Sequence, residues 1–350
     1  MVKSLILAEP KKIYNEMLKD IRAAKKYIYL ETYIYSKDSI GKSFCDALTQ
    51  KAKQGVQVRL LLDAWGSTAK KKYFKRLIEA GGEVKYFREF RYVVRAFNKN
   101  HERNHRKLLI IDNRISYVGS ANITSSCLKW RELVIRLRGS ISAVLSKSFK
   151  HNWRSSNHFA EEKLQELLHH SFEILQDLPS PFHKKTEKRY IKLIKEAKKS
   201  ICIITPYFIP SLGIRRAFAK AAKNGVKIKI IIPYVSDVRI IDIVRNRYLG
   251  NLCKKGLEFH YYKPGTLHSK LLIVDEELFI LGSSNLDYRS FLHQYELNIL
   301  GKDKKIISSL VSYFNQTLKK TKPFSHSEWK SRSSFVKMLE KIIARIIRYL

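Results

Sequence analysis

Acidic residues are scarce in this chain. Its 350 residues include 31 Asp plus Glu against 68 Lys plus Arg, a formal net charge of +37. Such a charge does not specify a fold, but it implies a polyanionic partner, either nucleic acid or an anionic membrane surface. Cysteine is scarce too. Cys45, Cys127, Cys202 and Cys253 are widely spaced and form no C-x-x-C pair. That argues against a zinc ribbon, a redox motif or a disulfide framework, and it fits a reducing compartment. No apolar run approaches the roughly 18 to 20 residues of a membrane-spanning helix. Residues Met1 to Pro10 lack a signal peptide's long apolar core and small-residue cleavage site. The expectation is a cytoplasmic protein that does not cross the membrane. What is present excludes a disordered polycation: 45% of residues are hydrophobic and 11% aromatic, enough for a substantial core in two domains or halves.

The chain repeats itself. IRAAKKYIYLETYIY (21–35) matches IKEAKKSICIITPYF (194–208), and AKQGVQVRLLLD (52–63) matches AKNGVKIKIIIP (222–233). In each copy a helix is closed by Gly55 or Gly225 and followed by a Val/Ile/Leu-rich strand. HRKLLIIDNRISYVGSANIT (105–124) matches HSKLLIVDEELFILGSSNLD (268–287). Strands alternating with helices imply an α/β unit with a parallel or mixed sheet, used twice. The boundaries expected are a first half at 1–159, a helix and linker at 160–186, a second half at 187–326 and a tail at 327–350.

Both copies carry H-x-K-x4-D-x6-G-S-x-N. The first supplies His105, Lys107, Asp112, Gly119, Ser120 and Asn122; the second supplies His268, Lys270, Asp275, Gly282, Ser283 and Asn285. Residues two apart on a strand share a face, so each His points with its Lys and each Ser with its Asn. Asp112-Asn113 and Asp275-Glu276 read as turns between two strands. Each hairpin then offers an imidazole, an ammonium, a hydroxyl and a carboxamide to one spot, with the glycine leaving room for substrate to approach the backbone. This set suits phosphoryl transfer without a metal or other cofactor. One histidine attacks phosphorus and a second shuttles the proton, while Lys and Asn stabilise the equatorial oxygens. A nucleophilic imidazole needs its other nitrogen held by an acceptor. Glu132 follows His105 by 27 residues, and Glu296 follows His268 by 28. Asp112 and Asp275, at turns away from the reactive face, read as structural. Asp63 and Asp237 follow equivalent strands and read as ordinary loop residues, and the other nine histidines as packed or surface residues.

The paired motifs resemble the signature of the phospholipase D superfamily. LETYIYSKDSIGKSFCDAL (30–48), KQGVQVRLLLDAWGS (53–67), TPYFIP (205–210) and GSSNLDYRSFLHQYELNIL (282–300) extend the resemblance to bacterial cardiolipin synthases. It covers nearly the whole chain and is nearest the short members without the two N-terminal membrane spans. The resemblance implies two phospholipase D-like α/β/α halves with one active site at their junction. It implies a nucleophile at His105, attacking the phosphate of phosphatidylglycerol, and a general acid and base at His268. Lys107, Lys270, Asn122 and Asn285 would hold the phosphate, with Ser120 and Ser283 assisting, and Glu132 and Glu296 match the histidine-orienting acids. Trp65 and Tyr288 depart from the family's usual smaller residue and Pro. A phospholipase D hydrolase or a nuclease of the same superfamily is the alternative.

The tail SEWKSRSSFVKMLEKIIARIIRYL (327–350) spaces Phe335, Met338, Leu339, Ile342, Ile343, Ile346 and Leu350 helically among Lys and Arg. It reads as a basic amphipathic helix at a membrane interface, against the alternative of a helix packed on the domain. The expected partner is an anionic phospholipid membrane containing phosphatidylglycerol, on the inner face of a bacterial cytoplasmic membrane, with no specific nucleic acid. The oligomeric state stays open.

Overall fold

The computed structural model describes residues 2–88, 102–156, 166–179 and 184–346. Two compact units divide the chain: one holds 1–176 with 281–283 and 294–299, the other 177–280 with 284–293 and 300–350.

In the first unit, β1 (Lys3–Leu7) leads into α1 (Pro10–Ala23), β2 (Tyr27–Thr32), α2 (Ser39–Lys53), β3 (Gln57–Asp63), the short α3 (Lys75–Glu79) and β4 (Glu83–Phe87). After them come β5 (Arg103–Asn104), β6 (Leu108–Ile111), β7 (Ile115–Gly119), β8 (Val134–Arg138) and α4 (Ile141–Ser155). The seven-stranded sheet runs β1-β8-β7-β6-β2-β3-β4. Strands β2, β3 and β4 are parallel and the others join antiparallel, so the sheet is mixed. Ile13, Tyr14 and Ile21 of α1 and Phe44 and Leu48 of α2 pack with Leu30, Leu60 and Leu62 into the core. Tyr14 and Phe44 meet edge to face at 5.8 Å. Where the spacing suggests a helix and linker over 160–186, the described residues hold β9 (Leu167–His169) and β10 (Phe172–Asp177); 160–165 and 180–183 lie outside the described residues. Strand pairing overrides the local spacing here: β10 lies beside the strand that follows β15 in the second copy, in the place that β1 takes beside β8.

The second unit continues with α5 (Lys185–Glu196), β11 (Ser200–Ile204), α6 (Leu212–Lys223), β12 (Lys227–Pro233), α7 (Arg239–Cys253), β13 (Leu257–Tyr262), β14 (Leu271–Val274) and β15 (Leu278–Gly282). It ends with α8 (Tyr288–Leu292), β16 (Gln294–Gly301), α9 (Lys304–Leu318), β17 (Thr321–Pro323), α10 (His326–Lys330) and α11 (Ser334–Ile346). Strands β13, β12 and β11 are parallel, β14 joins β11 antiparallel, and β17 edges β13. The tail is therefore two helices rather than one, broken at 331–333.

The repeat is visible down to single hydrogen bonds. Gly55 and Gly225 have φ of +80° and +83°. In each copy the glycine N–H and the following Val N–H return to the last helical turn: Gly55 to Ala52 and Val56 to Lys51, then Gly225 to Ala222 and Val226 to Ala221, at 2.9–3.1 Å. Only a residue tolerant of the left-handed region closes a helix in this way. The motif hairpins also match. Asp112 and Asn113 have φ of 53° and 51°, and Asp275 and Glu276 of 54° and 56°.

Candidate active site

The motif aspartates hold the sheet together. Asp112 accepts the backbone N–H groups of Lys25, Lys26 and Tyr27, each at 2.8 Å. Asp275 accepts those of Lys198, Lys199 and Ser200 at 2.7–2.8 Å. Each carboxylate ties the hairpin turn to the start of the central strand, β2 or β11. These bonds offset the cost of two non-glycine residues in the left-handed region.

The glycines serve the same architecture. A Cβ on Gly119 would stand 2.7 Å from the Val134 Cα and against the Leu133 carbonyl; one on Gly282 would stand 2.5 Å from the Asn298 Cα and against the Leu297 carbonyl. The space at each glycine is taken by the backbone of the neighbouring strand, not kept for substrate, which corrects the sequence expectation.

That close approach seats the next residue. The Ser120 hydroxyl donates to the Glu132 carboxylate and accepts the Leu133 N–H at 2.9 Å. The Ser283 hydroxyl donates to Glu296 and accepts the Leu297 N–H at 3.0 Å. The serines therefore grip the glutamates, whereas the resemblance implied that they assist in holding a phosphate.

His105 and Lys107 lie in the link between β5 and β6, ahead of the strand rather than within it. Strand β5 pairs parallel with β16, Arg103 opposite Gln294 and Asn104 opposite Tyr295, and the His105 N–H donates to the Tyr295 carbonyl at 3.0 Å. This register brings His105 Nδ1 to 3.0 Å from Oε1 of the fully buried Glu296. A carboxylate at this distance favours the tautomer in which Nδ1 carries the proton. The histidine of the first copy is thus oriented by the acid of the second, a crossed pairing that spacing along the chain does not reveal.

The lysines fold back on their own histidines. Lys107 Nζ donates to the His105 carbonyl at 2.6 Å, and Lys270 Nζ to the His268 carbonyl at 2.7 Å. Both are buried, as are His268, Asn122 and Asn285. Asn122 Oδ1 accepts the Ile34 N–H at 3.2 Å. Asn285 donates its backbone N–H to the Ser290 hydroxyl at 3.1 Å.

Three further residues support His105. The Tyr33 ring packs edge-on to the imidazole at 5.2 Å and lies 5.5 Å from Lys107 Nζ. Asp63 accepts the N–H groups of Trp65 and Gly66 with one oxygen and that of Asn104 with the other, all at 2.9 Å. By sequence it is an ordinary loop residue, yet it ties the end of β3 to the residue before His105. Burial pushes its carboxyl up, against the pull of these amides and of Arg103. The Asn104 amide donates to Glu31 at 2.7 Å, as does that of Asn152. Burial raises the Glu31 carboxyl too, opposed by Arg106 and both amides. The only sequence signal for this network was asymmetry: the second copy has Ile204, Pro233 and Leu267 where the first has Glu31, Asp63 and Asn104.

Among the described residues, no group of three or more His, Cys, Asp or Glu is placed to hold a metal ion. No described helix is long and apolar enough to cross a membrane.

The family model for the cardiolipin synthase, PLD-like domain matches twice, at residues 17–153 and 190–318. The major cardiolipin synthase ClsA of Bacillus subtilis is 35% identical, the match covering 96% of this chain and 73% of that protein. A cardiolipin synthase of Clostridium perfringens is 32% identical over 95% of this chain and 73% of its own length. Among solved structures, the phosphatidylserine synthase of Haemophilus influenzae superposes with a TM-score of 0.78 at 16% identity, covering 99% of this chain and 94% of that one. The polyphosphate kinase of Porphyromonas gingivalis gives 0.64 at 13% identity, covering 93% and 49%. A doubled family match, relatives of this identity across nearly the whole chain and the duplicated histidine motifs mean that the chain belongs to the cardiolipin synthase family of phospholipase D-like phosphatidyltransferases.

Proposed function

We propose that the protein moves a phosphatidyl group from phosphatidylglycerol to the hydroxyl of a second phospholipid through a covalent phosphohistidine on His105. The observation that carries this reading is His105 Nδ1 on the buried Glu296, itself gripped by Ser283. That arrangement leaves Nε2 as an in-plane nucleophile. Nε2 attacks phosphorus, the bond from phosphorus to the glycerol oxygen breaks, and His268 gives the leaving oxygen its proton, releasing glycerol. His268 then takes the proton of the incoming hydroxyl, whose oxygen displaces Nε2 and restores His105. Lys107, Lys270, Asn122 and Asn285 stabilise the charge on the phosphoryl oxygens. The donor and acceptor lie in an anionic bilayer on the cytoplasmic side, which the net charge of +37 suits.

Purified protein incubated with phosphatidylglycerol vesicles in EDTA is expected to yield cardiolipin and free glycerol. If neither forms, with or without phosphatidylethanolamine, the reading fails, and plasmid degradation under the same conditions would favour the nuclease alternative. Glu296→Gln is expected to lower labelled-phosphate trapping on His105 by on the order of 10²- to 10⁴-fold, because the amide no longer fixes the tautomer. Label trapped on another residue would overturn the assignment of roles.

A further inference from the structure

Ile204 pairs with Ile231 on one side and Leu271 on the other. His268, three residues before Leu271, and Tyr234, just past β12, therefore stand at the same edge of the second unit's sheet. Beside Tyr234 lies a recess of about 580 Å³ whose walls include Arg239, Tyr261, Trp329 and Arg332. Exposed apolar side chains stand at its mouth and beside it. Tyr234 is 55% exposed and Val235 50%, and Val238, Ile240 and Ile243 are exposed as well. Helix α11 packs on α7 and leaves Phe335, Val336, Met338 and Ile342 uncovered.

Cations border these apolar side chains. Arg239 lines the recess, and Lys263 Nζ sits 5.5 Å from the centre of the Tyr234 ring. Most nearby acids are already engaged. Asp242 pairs with Arg245 at 2.9 Å, Glu340 with Arg332, and Glu328 faces Lys322 at 3.7 Å. Asp237 accepts the Tyr207 hydroxyl at 2.8 Å. Tyrosine with aliphatic side chains and basic residues is the composition of a bilayer interface. A nucleic acid would match the charge but gives exposed Val, Ile, Phe and Met nothing to bury against.

We infer that the 234–238 loop, the first turn of α7 and the exposed face of α11 form a docking surface for an anionic phospholipid leaflet, on the same sheet edge as His268. Docking there brings headgroup phosphates to the reactive edge without extracting a lipid from the leaflet. This role rests on the phosphatidyl-transfer reading, but the contact itself can be tested apart from turnover.

The whole chain carrying His105→Ala, so that the lipid stays unchanged, is titrated with vesicles of phosphatidylglycerol and of phosphatidylcholine. Val235→Ser with Ile240→Ser and Phe335→Ser is expected to weaken binding to phosphatidylglycerol vesicles by more than about tenfold. Arg239→Gln with Lys263→Gln should weaken it roughly tenfold. Lys220→Gln with Lys223→Gln, exposed on α6, should change it by less than about twofold, since charges away from the contact are screened. Equal loss from the α6 pair, or no loss from either docking set, overturns the proposal. A Val235→Trp variant should gain fluorescence that is quenched by brominated acyl chains; no quenching beyond that of the parent also overturns it. Tighter binding to duplex DNA than to vesicles, lowered by the same substitutions, would assign the surface to nucleic acid instead. Because binding is read in inactive protein, failure to make cardiolipin would sink the transfer reading and leave this result standing.

Discussion

Asp112 illustrates how much one motif side chain carries. Its carboxylate takes three backbone N–H groups while its own φ is 53°. Asp112→Ala is expected to lower stability by about 1–3 kcal/mol, since three exposed or half-buried backbone donors lose their acceptor and the turn keeps its strain. Urea unfolding would measure it, and a change below about 0.5 kcal/mol would contradict the clamp. Glu31 gives a pH prediction. Its folded carboxyl is raised above the ordinary value of 4.5 by burial. The folded chain therefore holds a proton that the unfolded chain releases, and this contribution to stability is lost as pH rises through the folded value. Glu31→Gln removes that proton linkage, so the stability of the parent relative to the variant should fall as pH rises from 4.5. A pH-independent difference between them would refute it.

Among the elements, the two hairpins and their following strands behave as one device. Gly282 lets the backbone of β15 meet that of β16, and the Ser283 hydroxyl spans the gap to Leu297 and Glu296. Gly282→Ala should cost about 1–3 kcal/mol by overpacking and should also displace the carboxylate that holds His105. Thermal unfolding and single-turnover rates would separate the two effects; loss of stability with an unchanged rate would leave Gly282 no part in positioning. The hairpins, their turn residues and both helix-closing glycines were legible in the sequence, because each depends on contacts within a short stretch. The hairpin of β9 and β10 was not. Its residues space apolar positions as a helix would, and a strand partner more than a hundred residues away overrides that preference.

For the whole molecule, charge sets the encounter. A net charge of +37 acting through exposed Lys and Arg should make vesicle binding fall steeply between about 0.1 and 0.5 M salt, as the screening length shortens from roughly 10 Å to under 5 Å. Co-sedimentation with phosphatidylglycerol vesicles across that range checks it. A residue of binding that resists salt is expected from the apolar side chains of the 234–238 loop, the first turn of α7 and α11. If binding vanishes entirely, those side chains do not enter the leaflet.

The sequence by itself determined the duplication, the mixed α/β architecture, the two histidine motifs and the family. All of these rest on residue identity and on spacings within some twenty positions. Only the tertiary structure decided which acid serves which histidine. Pairing of β5 with β16 brings residues 191 apart in sequence into hydrogen-bonding distance, and no periodicity along a chain encodes that register. The same holds for Asp63, whose two oxygens bind backbone amides at both ends of a 41-residue separation. A loop aspartate becomes a brace only when folding brings its distant partner to it.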